Sequence, residues 1–300
     1  MEQPSTLVTP TGTIYGTLEL PSAKTPVPVV LLIAGSGPTD RNGNSRALPG
    51  SNNSLKYLAD GLAAHGIASL RYDKRAIGES VGAAAKEEDL RFDMYVADAE
   101  GWLKQLRADK RFSTVSVAGH SEGSLIGMIA AREGGADGYV SLEGAGRKPG
   151  DIIVEQLTSQ LPPAMLATTK HLLDLIAAGA PPDTTTVPAP LMSLFRPSVR
   201  PYMISWFKYD PAVEIGKLKV PALIVQGTTD IQTSMTDAKA LAAGYPSGRF
   251  LMIEGMNHIF KNAPPGRVEQ MPVYSDPTIP VVPKLIDEMS SFVNGLKRKS

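Results

Sequence analysis

This sequence predicts an α/β fold, a mostly parallel sheet flanked by helices and interrupted by one helical insertion. Three observations carry that prediction. Short, almost purely apolar runs recur along the chain (Val27 to Ala34, Ile67 to Tyr72, Val115 to Ala118, Val220 to Gln226), as expected of strands buried on both faces. Segments with apolar residues at helical spacing alternate with these runs, the pattern of parallel strands joined by helices. From about Gly144 to Gly216 the alternation gives way to helical and proline-rich sequence. The chain thus divides into a core, residues 1–143 and 217–300, and an inserted helical cap, residues 144–216, within one structural unit.

Residues 11–20 alternate and are rich in β-formers, which predicts an antiparallel edge strand or hairpin. Val27 to Ala34 is a buried strand, and it runs into the polar, glycine-rich loop Gly35-Ser36-Gly37-Pro38-Thr39-Asp40-Arg41-Asn42-Gly43-Asn44. Ligand groups gather at such strand ends in open α/β sheets. Leu55 to His65 is an amphipathic helix stopped by Gly66, and the strand Ile67 to Tyr72 ends in the charged turn Asp73-Lys74-Arg75-Ala76-Ile77-Gly78-Glu79-Ser80. A helix spans Phe92 to Leu106, and Tyr139 to Leu142 is a further short strand. Within the insertion, Ile152–Gln160 and Met165–Ala178 are helical, Pro181 to Pro201 is proline-rich, and Met203 to Phe207 is an apolar cluster. That cluster and the Met165–Ile176 stretch hint at an apolar acyl pocket. Val220 to Gln226 resumes the sheet, Arg249 to Ile253 is its last strand, and Pro283 to Leu296 is a closing helix.

The strand at Val115–Ala118 turns into a helix through Gly119-His120-Ser121-Glu122-Gly123. A Gly-x-Ser-x-Gly turn between strand and helix forces the serine into a strained conformation with its hydroxyl exposed. The turn also leaves N–H groups free at the helix start, aimed where an anion can form. The backbone N–H of Glu122 and that of Ser36 are the two expected oxyanion-hole donors.

A serine hydroxyl needs a base within hydrogen-bond reach, and the base needs an orienting acceptor. Of four histidines, His65 suits a helix C-cap, His120 sits in the turn with its side chain directed away from that of Ser121, and His171 lies in the insertion. His258 follows the last strand and alone fits the order Ser, then Asp/Glu, then His. Asp230 is the first carboxylate after the strand ending at Gln226 and is the preferred acid. Its competitors are Asp210, before Pro211, and Asp237, on what reads as a solvated helix face; Glu254 is too near His258 along the chain.

These residues resemble the α/β-hydrolase superfamily. Within it the chain is similar to bacterial serine carboxylesterases of the serine-aminopeptidase-like, EstD-type branch. The matching stretches are residues 34–44, 70–80, 119–123, 220–232 and Asn257-His258, most of the chain outside the cap. The resemblance implies an α/β-hydrolase fold and assigns Ser121, Asp230 and His258 to a triad, with Ser36 and Glu122 as oxyanion donors. Relatives carry histidine where this chain has Ala34, and Arg-Gly-x-Gly where it has Arg75-Ala76-Ile77-Gly78; Ala76 fits if its φ is negative. Asp40 and Arg41 are expected either to form an ion pair bracing the oxyanion loop or to touch substrate. The implied activity is cleavage of small-to-medium acyl esters through an acyl-enzyme. Thioesterase or aminopeptidase-like hydrolysis would use the same groups, with Glu122 or Asp40 binding a free amine, and a catalytically silent binding protein is the non-enzyme alternative.

Composition bounds the rest. Lys plus Arg and Asp plus Glu both number 30 in a chain of 300 residues, so nothing suggests a nucleic-acid partner. The short Lys297-Arg298-Lys299 run reads as a solubilising tail. There are no cysteines, which excludes disulfides, thiol nucleophiles and cysteine metal sites. No metal or cofactor is expected, and the partner is a small-molecule ester. No apolar run approaches the ~20 residues of a membrane span. The N-terminus lacks the basic-then-apolar pattern of a signal peptide, so a cytoplasmic location is expected, or a periplasmic or secreted one if such a peptide was removed.

Overall fold

The structure is a computed structural model describing residues 1–24, 26–180 and 182–298. Pro181, which opens the proline-rich passage, and Lys299 of the basic tail lie outside them. Eight strands form one sheet: β1 (Glu2–Thr9), β2 (Gly12–Glu19), β3 (Val27–Ile33), β4 (Ala68–Tyr72), β5 (Phe112–His120), β6 (Gly138–Leu142), β7 (Ala222–Gly227) and β8 (Arg249–Ile253). Their spatial order is β1-β2-β4-β3-β5-β6-β7-β8. The β1–β2 and β2–β4 pairs are antiparallel and every other pair is parallel.

The apolar runs form strands because both faces are covered. One apolar layer joins β3, β5 and β6 to α2 (Phe92–Ala108) and α3 (Glu122–Glu133). The other joins the opposite faces to α1 (Ser54–Ala64) and the closing helix (Pro283–Asn294). Trp102 of α2 is fully buried beside Tyr72, their ring centroids 5.8 Å apart. Burying a side chain of this kind contributes roughly 2–3 kcal/mol.

The hairpin expectation holds with a shift. The stretch at 11–20 is β2, an interior strand, and the edge is β1, which the sequence reading left out. β1 needs a partner on one side only, so its Pro4, Ser5 and Thr6 are tolerated and its side chains alternate between exposed and half-buried.

Between β6 and β7 come α4 (Pro149–Thr158), α5 (Pro163–Ala177), α6 (Met192–Phe195), α7 (Arg200–Trp206) and α8 (Pro211–Ile215). This segment has an apolar cluster of its own, with Phe195 and Ile176 fully buried among Leu172, Leu173 and Leu191. It rests on the core through α7. The Phe92 N–H donates to Ser205 Oγ at 2.8 Å, and Phe92 stacks on Trp206. After β7 follow α9 (Met235–Gly244) and, beyond β8, α10 (Arg267–Gln270) and α11 (Pro283–Asn294). Among the described residues no helix is long and apolar enough to cross a membrane.

Candidate active site

The C-terminal ends of β3, β5, β6, β7 and β8 deliver five loops to one edge of the sheet. The chain leaves β5 at His120 and enters α3 at Glu122, with Ser121 between them at φ 54 and ψ −120. A positive φ is costly for a residue with a side chain and persists only where its surroundings over-determine it. Here the Ser121 N–H is fixed to the Leu142 carbonyl of β6 at 2.9 Å. A Cβ on Gly119 would lie 2.0 Å from the Gly123 carbonyl oxygen, and one on Gly123 would lie 2.5 Å from that of Ile33. Only glycine lets β3, β5 and α3 approach this closely. Helix α3 is buried nearly all round, which fits its uniformly apolar and small composition.

Asp230 follows β7 and His258 follows β8. His258 Nδ1 lies 2.7 Å from Asp230 Oδ2. Asp230 also accepts the Gln232 N–H at 2.6 Å, the Thr233 N–H at 3.1 Å and the Thr233 hydroxyl at 2.8 Å. Burial by itself raises an acid's pKa. Here the imidazole of His258 opposite, with the hydrogen bond from the Gln232 N–H, outweighs burial and holds the Asp230 carboxyl at about 2. An ionised carboxylate only accepts, so Nδ1 of His258 carries the proton and Nε2 is the basic nitrogen.

Ser121 lies between two cavities. One, of about 140 Å³, is lined by Gly35, Ser36, Ser121, His258 and Tyr274. The other, of about 410 Å³, runs under the insertion and is lined by Ser121, Ile152, Leu157, Leu194, Met203 and Trp206. The apolar cluster at Met203–Phe207 thus contributes to the larger cavity. The Met165–Ile176 stretch does not: its Leu172, Leu173 and Ile176 pack inside the insertion.

The two segments bearing the expected oxyanion donors are tied together by a residue that the sequence reading passed over. Lys74, buried after β4, donates to the Gly35 carbonyl at 2.6 Å and pairs with Glu122 at 3.0 Å. Both side chains are at most 5% exposed. As the first residue of α3, Glu122 has an N–H with no acceptor inside the helix. Ser36 lies in the loop that Lys74 anchors and lines both cavities.

His120 was expected to turn away from Ser121. Its ring packs on that of His258, with centroids 4.6 Å apart, and its Nε2 lies 2.8 Å from the His258 carbonyl oxygen. Burial, then the neighbouring His258, pushes the pKa of His120 down to about 3. It is a neutral brace whose Nε2–H holds the loop carrying His258. The second residue missed is Glu143, fully buried directly after β6. The charged run Asp73-Lys74-Arg75 after β4 and an acid abutting a buried strand were the available signals for Lys74 and Glu143.

Several expectations are corrected. Asp40 and Arg41 do not pair with each other. Asp40 accepts the N–H groups of Asn42 and Asn44 at 2.8 and 3.0 Å, closing its own turn. Arg41 pairs with Asp73 at 2.7 Å and with Glu79, so it braces the loop after β3 against the turn after β4. Neither residue lines the two cavities. Ala76 has a φ of 64, not a negative one. Its turn is closed around Asp73, which accepts from the N–H groups of Arg41 and Glu79. Asp237 is fully buried rather than solvated. It completes the capping box of α9 with Ser234 and binds Arg147 at 2.8 Å. Asp210 caps α8, and Glu254 is exposed. His65 accepts the C-cap role, with Nδ1 2.8 Å from the Gly61 carbonyl oxygen, and His171 is exposed.

An eight-stranded, largely parallel sheet whose central strand turns into a helix at a strained serine is the α/β-hydrolase fold. The family described as "Serine aminopeptidase, S33" matches residues 50–179, a span that holds Ser121 but not Asp230 or His258. Esterase EstD of Thermotoga maritima is 26% identical over 285 residues, covering 93% of this chain; the chain spans 65% of that protein's length. Est1E from Butyrivibrio proteoclasticus superposes with a TM-score of 0.61 at 16% identity, over 97% of this chain and 98% of its own. An esterase domain from Rhodothermus marinus gives 0.59 at 15% identity, over 99% of both chains.

Proposed function

We propose that this protein is a serine carboxylesterase acting on small-to-medium acyl esters. The observation that carries the reading is Ser121, strained at a strand-to-helix turn, facing the same cavity as a His258 that is 2.7 Å from a buried Asp230. His258 takes the proton of Ser121 as its oxygen attacks the ester carbonyl. Asp230 fixes the imidazole and stabilises its charged form. The N–H groups of Ser36 and Glu122 bind the oxyanion, a contribution of about 3–4 kcal/mol per donor. The alcohol leaves with the proton from His258. Water, deprotonated by the same histidine, then releases the acid and restores Ser121. The insertion acts as a cap, and the acyl chain lies in the 410 Å³ cavity against Met203 and Trp206.

The likeness to EstD supports the esterase class. The aminopeptidase alternative needs a carboxylate free to bind an amine. Glu122 is already neutralised by Lys74, and Asp40 is occupied by its own turn. Hydrolysis of p-nitrophenyl esters from acetate to a long-chain acyl tests the reading. Turnover peaking at short or medium chains and lost in Ser121→Ala is expected. A folded protein that hydrolyses none of them would overturn it.

A further inference from the structure

Glu143 is the least explained group beside the site. It is fully buried at the end of β6, and its φ of 48 is unusual for a residue that is not glycine. Three contacts hold it there. Its N–H donates to the Val225 carbonyl at 3.1 Å, its carbonyl lies 3.2 Å from the Thr233 hydroxyl, whose hydrogen it shares with Asp230, and Oε1 accepts the Gly227 N–H at 2.8 Å. Oε2 is buried without a hydrogen-bond partner. Asp230 is its acidic neighbour: the Thr233 hydroxyl that lies 3.2 Å from the Glu143 carbonyl lies 2.8 Å from Asp230 Oδ2. Two ionised carboxylates in a dry site repel each other, and neither has a hydrogen to share. One proton between them turns the contact into a hydrogen bond.

We propose that Glu143 is a positioning residue which keeps its proton at neutral pH and donates it, as a neutral carboxylic acid, to Asp230. The inference rests on Asp230 being the acid that orients His258. Glu143 holds the proton because the surroundings of the two acids differ. Asp230 faces the His258 imidazole and two further backbone N–H donors. The groups around Glu143 are Asp230, the Gln226 amide and, further off, Tyr274, itself pushed above its usual range. Among the described residues, no ion pair includes Glu143. Burial, then the Asp230 charge, drives its carboxyl well above the usual carboxylate range.

The consequence is catalytic. A neutral donor spreads the charge of Asp230 and fixes its orientation without adding a second negative charge near His258. Two charges would over-stabilise the imidazolium and leave His258 too weakly inclined to return its proton to the leaving group.

Two variants and a spectrum test this. Infrared difference spectra at neutral pH, wild type minus Glu143→Gln, should contain the carbonyl stretch of a protonated carboxylic acid. Glu143→Gln replaces that acid with an amide able to accept from Gly227 and donate to Asp230. Its kcat/KM should stay near wild type, with the acidic limb of the pH profile unmoved. Glu143→Met keeps the length and removes both bonds. It should lower kcat/KM by roughly 10- to 100-fold, the loss expected for a hydrogen bond to a charged group, and move the acidic limb to higher pH. Absence of the band, or an acidic limb in Glu143→Gln lowered by about 1–3 units as for a removed charge, would overturn the proposal. If Glu143→Met does not fold, the band and the Glu143→Gln profile decide. Full turnover in Asp230→Asn would instead overturn the triad reading, while the band would still report the proton on Glu143.

Discussion

The two walls of the site are built from different forces. On the sheet side, positions are set by buried charges and directional bonds: Lys74 with Glu122, Arg75 with Asp98, and His258 with Asp230. Every side chain in those pairs is at most 5% exposed. On the insertion side the walls are apolar, with Phe195, Leu191 and Met203 packed into a small cluster. Ion pairs such as Arg196 with Glu87 and Lys170 with Asp174 are at the surface there, and the buried contacts of Arg147 and Glu214 are made to the core, with Asp237 and Arg132. Directional bonds in a dry interior admit one arrangement, and breaking one leaves a costly orphan. Apolar packing is non-directional and tolerates substitution of like volume. Proton transfer needs the first kind of wall, and an acyl group of variable length needs only the second.

That contrast can be broken or sharpened by substitution. On the proposed reading Ser121→Ala removes the nucleophile and should lower kcat by on the order of 10⁴-fold or more, with thermal unfolding little changed because alanine keeps the Cβ and with it the cost of the positive φ; steady-state kinetics and calorimetry check both. Lys74→Met leaves Glu122 buried without its partner and should destabilise the protein by about 3–5 kcal/mol, read by urea unfolding. The double variant Lys74→Met/Glu122→Met should recover much of that stability but not the activity, because nothing then ties Gly35 to α3. Full activity in the double variant would show that the charged wall is not needed for positioning.

Trp206→Ala should act on selectivity rather than on chemistry. Its effect on kcat/KM should grow with acyl length, reaching roughly 10-fold or more between short and longer chains, while acetate turnover changes little. A uniform loss across the series would place Trp206 in the positioning wall instead. A further effect, confined to acid pH, concerns His120. Its folded pKa of about 3 lies below the ordinary 6.5, so its contribution to stability is full above pH 6.5 and is lost as pH falls from there to about 3. Unfolding free energies measured by urea across that window should fall less steeply in His120→Phe than in the wild type.

The residues proposed to perform the chemistry were legible because each carries a local or ordinal signal. Ser121 has two glycines, a strand before it and a helix after it. Asp230 and His258 stand just beyond buried strands, in the order this topology requires. Their supporting partners were not legible, because they depend on which loops meet at the sheet edge. Lys74 reads as one charge in a charged turn until β4 and β3 lie side by side. Glu143 reads as a strand-end acid until β7 is laid beside β6, which brings Gly227 and Asp230 against it. Asp237 was misread for the same reason: its helix pattern is that of a solvated position, and Arg147 arrives from the loop after β6. The φ of Ala76 follows from a turn closed by Asp73 and Arg41, residues the sequence did not pair.

The central claim is that Ser121 is an activated nucleophile dependent on His258. Labelling the protein with a fluorophosphonate and mapping the adduct by mass spectrometry tests it most directly, since only an activated serine reacts at a useful rate. The account predicts one adduct, on Ser121, formed rapidly in the wild type and lost in His258→Ala. No adduct on Ser121, or one that forms equally fast without His258, would contradict it.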